Sequence, residues 1–264
     1  MTTSIHTNTS AMIALQNLNR TNDQLASTQS RVNTGLKVQG AKDNAAVWAV
    51  AQGQRADRGS LEAVTTSLNR ATSIADVSLA AGEQISDILV ELKQKAPAAA
   101  DPSATAAMRT SYNDEFQSLL SSIQSFADNA VFDGSNILDG TATTALNFLA
   151  SADASETISL DRQNLTLAGL SLTGTSLTSE ANATAALTAV NAAIATSSSR
   201  LAELGAQAKQ IERHTTYVGK LSDALEAGIG NLVDADMAKE SARLTALQVL
   251  SLIHISEPTR RTPI

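Results

Sequence analysis

Apolar side chains recur along this chain of 264 residues at alternating steps of four and three. That spacing keeps one face of a helix turned toward a partner helix. The first such run is Ala11, Leu15, Leu18, Asn22, Leu25, Gln29, Val32 and Leu36, apolar except at Asn22 and Gln29. A second passes through Leu61, Val64, Leu68, Ala71, Ala75, Ser78, Gly82, Ile85, Leu89 and Leu92, with small residues at its centre where another helix can approach. Pro97 and Pro102 bracket Ala-Ala-Ala-Asp, which predicts a helix stop and a short connection. A short third seam holds Tyr112, Phe116, Leu119, Ile123 and Phe126.

The longest seam starts at Leu187 and Val190, passes Ile194, Ser197, Leu201, Leu204, Ala208 and Ile211, and ends at Leu225, Ile229 and Leu232. At ~1.5 Å per residue it predicts a helix of roughly 70 Å. Such a sustained period predicts helices coiled about one another.

Residues 129–182 have another texture. Two Asp-Gly pairs, Asp133-Gly134 and Asp139-Gly140, are turn signals. Thr157–Leu160, Asn164–Leu167 and Gly169–Leu172 alternate polar and apolar with period two and read as short strands. The expected fold is mainly α: a long antiparallel coiled-coil helical rod with a small β-hairpin segment between the outgoing and returning helices. The competing expectation for that segment is a mobile Ser/Thr/Ala-rich loop.

Composition narrows the function. There is no Cys, so disulfides, thiolate nucleophiles and cysteine-type zinc or iron–sulfur sites are excluded. A net charge of −7 argues against nucleic-acid binding, which needs a basic face. No stretch has the ~20 apolar residues of a membrane span, and the start lacks the basic and apolar regions of a secretory signal. A soluble protein outside the general secretory route is expected.

Little chemistry is apparent. His6, His214 and His254 are scattered outside any HExxH pattern, and His214 reads as a solvated or satisfied imidazole. Asp234, Asp236 and Glu240 lack the glycine turn of a calcium loop and read as a helix start with Asp at its cap. Asp43 likewise reads as an N-cap. No enzyme and no cofactor are expected. What remains is assembly, because a lone terminal helix cannot bury a heptad seam. The expected packing residues are Leu15, Leu18, Leu25, Val32 and Leu36 on the outgoing side, with Leu225, Ile229, Leu232 and Met237 on the returning side. A bundle that stays monomeric is the alternative on seams alone.

Three stretches carry a family resemblance. Thr7–Leu18, Gln29–Lys37 and Ala41–Ala46 resemble the N-terminal signature of bacterial flagellins. Ala130–Leu138 is similar to that family's turn after its third helix, and Asn231–Leu244 to its C-terminal signature, in an alphaproteobacterial-like short form. The resemblance implies a filament subunit for swimming motility, secreted by the flagellar type III apparatus and extracellular on the bacterial flagellum. The implied organisation is an N-terminal axial helix over 1–44, rod-domain helices over 45–128, an outward segment over 129–182, a returning rod helix over 183–233 and the start of a C-terminal axial helix over 234–249. The implied partners are many copies of the same chain, an export chaperone, and cap and junction proteins, with no nucleic acid and no membrane.

Two departures accompany the resemblance. Flagellins sensed by the Toll-like flagellin receptor carry an Arg-rich stretch where this chain has Ser86–Lys93, without Arg, and a Glu where it has Ser122. Weak contact with that receptor is expected. Beyond Val249 the heptad is lost, Pro258 and Pro263 break any helix, and residues 250–264 read as a non-family tail of the kind an adaptor joined in frame would leave. On that reading the chain folds but polymerises poorly. A hook–filament junction protein, a surface adhesin or immune-modulating ligand, and a filament-displayed enzyme are the alternative functions.

Overall fold

The computed structural model describes residues 9–256, and it is mainly helical. Five helices, α1 (Thr9–Thr34), α2 (Ala45–Ala100), α3 (Ala106–Asn129), α4 (Glu180–Val233) and α5 (Met237–Ser256), alternate with four short strands between α3 and α4. The chain divides into two compact units. One comprises Met1–Arg58 with Asp223–Ile264, the other Gly59–Ser222. His6, Pro258 and Pro263 lie outside the described residues, as does the side chain of His254.

In the Gly59–Ser222 unit, the second sequence seam is the core face of α2. Leu61, Val64, Leu68, Ala71, Ala75, Ile85, Leu89 and Leu92 are all buried, and Ser78 with them. Gly82 stands where any Cβ would collide with the Leu201 side chain of α4, so its small size seats that helix. Buried Val190, Ser197, Leu204, Ile211 and Val218 carry the returning seam. The helix α3 differs from expectation. It buries Phe116, Leu120, Ile123 and Ala127, whereas Leu119 is half-buried and Phe126 exposed. Either choice satisfies steps of three and four, and Ala127 allows the closer helix approach.

Pro97 does not end α2. The helix continues to Ala100 with Pro97 inside its last turn. The N–H that Pro97 lacks would serve the carbonyl of Lys93, an exposed residue, and the helix end itself is held by Arg109, whose guanidinium donates to the open carbonyls of Ala99 and Asp101. Asp101 then turns the chain by accepting from the backbone and hydroxyl of Ser103, and Thr105 caps α3 through the Met108 amide.

Strands β1 (Val131–Phe132) and β2 (Ser135–Asn136) form a two-residue hairpin, with Phe132 opposite Ser135. Its turn needs two left-handed residues, supplied by Asp133 at φ 48° and Gly134 at φ 72°. Strand β4 (Thr157–Leu160) matches its expected range, but its partner is β3 (Leu146–Leu149), a segment the alternation did not single out.

Asn164–Leu167 and Gly169–Leu172 are not strands but turns. Leu165, Leu170 and Leu172 do point inward. Their backbone is satisfied differently: Leu165 N donates to Leu138 O, and Arg200 donates to the carbonyls of Asn164 and Gly169.

Candidate functional site

The features the sequence marked for assembly meet in the Met1–Arg58/Asp223–Ile264 unit, where α1 packs against α5. The helix α1 ends at Gly35, whose left-handed φ of 71° suits a helix C-terminus and whose amide bonds Arg31 O. At the start of α5, Asp236 accepts from the amides of Ala238 and Lys239, as the acidic cluster predicted for a cap. Asp43 is corrected. It closes the preceding turn by accepting from Gln39 N and Gly40 N, and Asn44 takes the capping role by accepting from Val47 N.

Chain segments from the two ends are then tied together by backbone. Lys37 N and Val38 N both donate to Val233 O, and Ala235 N donates to Gly35 O. Beneath this strap a small core contains Val38, Ala51, Ile229 and Val233, with Leu36, Val47, Trp48 and Leu232 packed against it. Arg58 and Glu226, 3.3 Å apart, make an exposed pair beside it.

The expected packing residues divide into groups. Ile229 lies in this core, and Leu36 and Leu232 cover it. Leu225 is half-buried, as are Leu18, Leu25 and Val32 on α1. Leu15 is 58% exposed and Met237 43% exposed, so within one copy they pack least.

The stripe on α1 also differs in register. Thr21 and Thr28 are buried at 5% and 3% exposure, while Asn22 and Gln29 are exposed. The stripe is therefore Leu18, Thr21, Leu25, Thr28 and Val32, opposite Glu240, Leu244, Leu247 and Ser251 of α5. Threonine suits the dry side because its methyl packs and its hydroxyl can bond back along the helix, as Thr21 does to Asn17 O at 2.9 Å. Ranking residues by polarity alone hides that signal.

Two polar contacts fix the antiparallel pairing: Arg31 Nη1 to Glu240 Oε1 at 3.4 Å, and Ser251 Oγ to Asn22 Oδ1 at 3.2 Å. The second also bears on the tail. Helix α5 continues through 250–256 rather than breaking after Val249, so Leu18 and Leu25 keep their cover, and the ground on which poor polymerisation was expected falls away. Past this point Met12, Ile13 and Leu15 on α1, and Val249, Leu252 and Ile253 on α5, are exposed apolar residues.

His214 bonds the carbonyl of Ala150 at 2.7 Å and lies beside the Tyr217 ring. Among the described residues no group of three or more His, Cys, Asp or Glu could hold a metal. No described helix is long and apolar enough to cross a membrane.

Comparison with known proteins agrees with this arrangement. The family model for the bacterial flagellin N-terminal helical region matches residues 5–143, and that for the C-terminal helical region matches 187–256. Flagellin FljM of Caulobacter vibrioides is 49% identical over 246 residues, covering 93% of this chain and 89% of the relative. A flagellin of Brucella melitensis is 36% identical, covering 93% and 90%. The crystal structure of Bacillus cereus flagellin aligns over 57% of this chain and 86% of its own, with 25% identity and a TM-score of 0.52.

Proposed function

Because this chain belongs to the bacterial flagellins, a family of structural proteins, we propose that it works as a subunit of the flagellar filament, outside the cell, and contributes to swimming motility. The observation that carries this reading is the uncovered apolar end of the α1/α5 pair. Met12 is 55% exposed and Leu252 66%, with Ile13, Leu15, Val249 and Ile253 also exposed. A cluster of large apolar residues left in water on a single copy calls for cover by other copies. Contacts repeated from one face to a different face build an open helical polymer rather than a closed ring.

The finer partners follow from the same membership. Export by the flagellar type III apparatus with a dedicated chaperone, and contacts with cap and junction proteins, belong to this reading. So does the division into an axial part at the two chain ends, a rod part over 45–128 and 183–233, and an outward segment over 129–182. Recognition by the Toll-like flagellin receptor should be poor. The exposed positions of the relevant α2 stretch are Asp87, Val90, Glu91 and Lys93, none of them Arg, and Ser122 bonds the carbonyl of Ser118. A bidentate, charge-assisted contact has no guanidinium there to form it. A receptor-reporter assay should give potency well below that of an Arg-bearing flagellin, and equal potency refutes this part.

Peptide-mapping mass spectrometry of filaments sheared from cells carrying this gene tests the main reading. Peptides from residues 45–245 at the abundance of a major filament protein support it. Trace amounts confined to the filament base favour the junction protein, and absence from filaments favours a surface ligand.

A further inference from the structure

Beside the buried stripe of α1, three guanidiniums converge. Arg20, Arg31 and Arg243 line one open cleft of about 250 Å³, together with Asp23 and Thr28. Arg31 is already engaged by Glu240. Among the described residues Arg20 and Arg243 take part in no ion pair, and Asp23 pairs with neither. Thr28 is a second anomaly. Thr21 and Thr34 each donate to the carbonyl four residues back, whereas Thr28, only 3% exposed, makes no such bond and lines the cleft. Two guanidiniums outside any ion pair thus line a space of side-chain size, with Thr28 in its wall.

We propose that this cleft receives a carboxylate side chain from a second copy of the chain, a contact that fixes how neighbouring copies register. The inference rests on the filament reading above. Copies that cover the apolar end of this helix pair also strip water from its flank. Dehydrating Arg20 and Arg243 is unfavourable unless an anion meets them, and guanidinium binds a carboxylate through two parallel hydrogen bonds. Carboxylates are plentiful on any copy, since the chain has 26 Asp and Glu against 19 Lys and Arg.

The test assembles an Arg20→Lys/Arg243→Lys chain on sheared filament seeds, from equal parts of nitrogen-15-labelled and unlabelled protein, and treats it with a carbodiimide. Isopeptide links between position 20 or 243 of one copy and an Asp or Glu of another are expected, seen as mixed-isotope peptides. In parallel, Arg20→Glu/Arg243→Glu should reduce seeded pelleting at least about tenfold, with helix content and Trp48 emission unchanged. Inter-copy links that form elsewhere but not at these positions overturn the proposal. So does a doubly reversed chain that pellets like the parent, or one that pellets normally yet has lost millimolar phosphate binding that the parent shows. A parent chain that never pellets with seeds counts against the filament reading and takes this contact with it.

Discussion

Arg31 of α1 and Glu240 of α5, 209 residues apart in sequence, stand 3.4 Å apart across the α1/α5 helix pair. Glu240 is only 8% exposed, and its second oxygen, Oε2, has no hydrogen-bond partner. The carboxylate therefore depends on one long contact. Arg31→Ala should destabilise the α1/α5 pair by about 1–3 kcal/mol, the range for leaving a buried polar group unsatisfied. Glu240→Gln, which keeps an acceptor and removes the charge, should cost less. Hydrogen exchange read by mass spectrometry should show faster exchange over 237–256 in Arg31→Ala than in Glu240→Gln. The reverse order contradicts the assignment.

Two neighbouring residues on α2 separate core from surface. Leu89 is fully buried and Val90 is 46% exposed. Leu89→Ala should cost about 2–5 kcal/mol, and Val90→Ala should stay within about 0.5 kcal/mol. Urea unfolding of both variants, followed by circular dichroism at 222 nm, measures the difference.

Glycines in open and crowded surroundings should respond with opposite signs. A Cβ at Gly53 in α2 meets nothing within 4 Å, so Gly53→Ala should stabilise by roughly 0.5–1 kcal/mol. At Gly169 a Cβ falls on the backbone and side chain of Asn164, at the carbonyls that Arg200 holds. Gly169→Ala should destabilise by about 1–3 kcal/mol. Paired denaturation curves that shift the same way would refute this.

The turn joining β3 to β4 should respond to acid. Hydroxyls of Ser151 and Ser155 donate to Asp153 and hold its carboxyl at about 2, below the ordinary 3.8. The folded value is depressed, so the stabilisation is present above pH 3.8 and is lost as pH falls through about 2. Carboxyl-carbon NMR should show Asp153 titrating with its midpoint near 2. Asp153→Asn should remove the acid dependence of the Ser151 and Ser155 hydroxyl signals.

What could be read from the sequence depended on how strongly burial constrains each position. Every position of the Leu61–Leu92 seam is buried, because α2 packs one continuous face, and its single polar member, Ser78, is small enough to be taken in although its hydroxyl has no partner. On α1, Thr21 and Thr28 took the places expected for Asn22 and Gln29, since a threonine's methyl packs as an apolar group does, and Thr21 in addition bonds its hydroxyl back to Asn17 O. Near 164–172 the alternation located inward side chains correctly but misjudged the backbone, whose partners are a distant carbonyl and an arginine. The end of α2 escaped for a similar reason: Pro97 signals a stop locally, while the carbonyls at the actual end are held by Arg109 of the next helix. The family-specific ends were the clearest part, and the Arg20/Arg243 cleft the least, because it needs two helices from opposite ends of the sequence.

Seeded assembly tests the central claim most directly. Purified chain is mixed with sheared Caulobacter vibrioides filaments, sedimented, and imaged by electron microscopy. The apolar end of the α1/α5 pair predicts that the chain pellets with the seeds and lengthens them, and that Leu15→Asp/Leu252→Asp prevents this while leaving the monomer helical. Chain that stays in the supernatant, at concentrations where flagellin from those filaments pellets completely, would contradict the account.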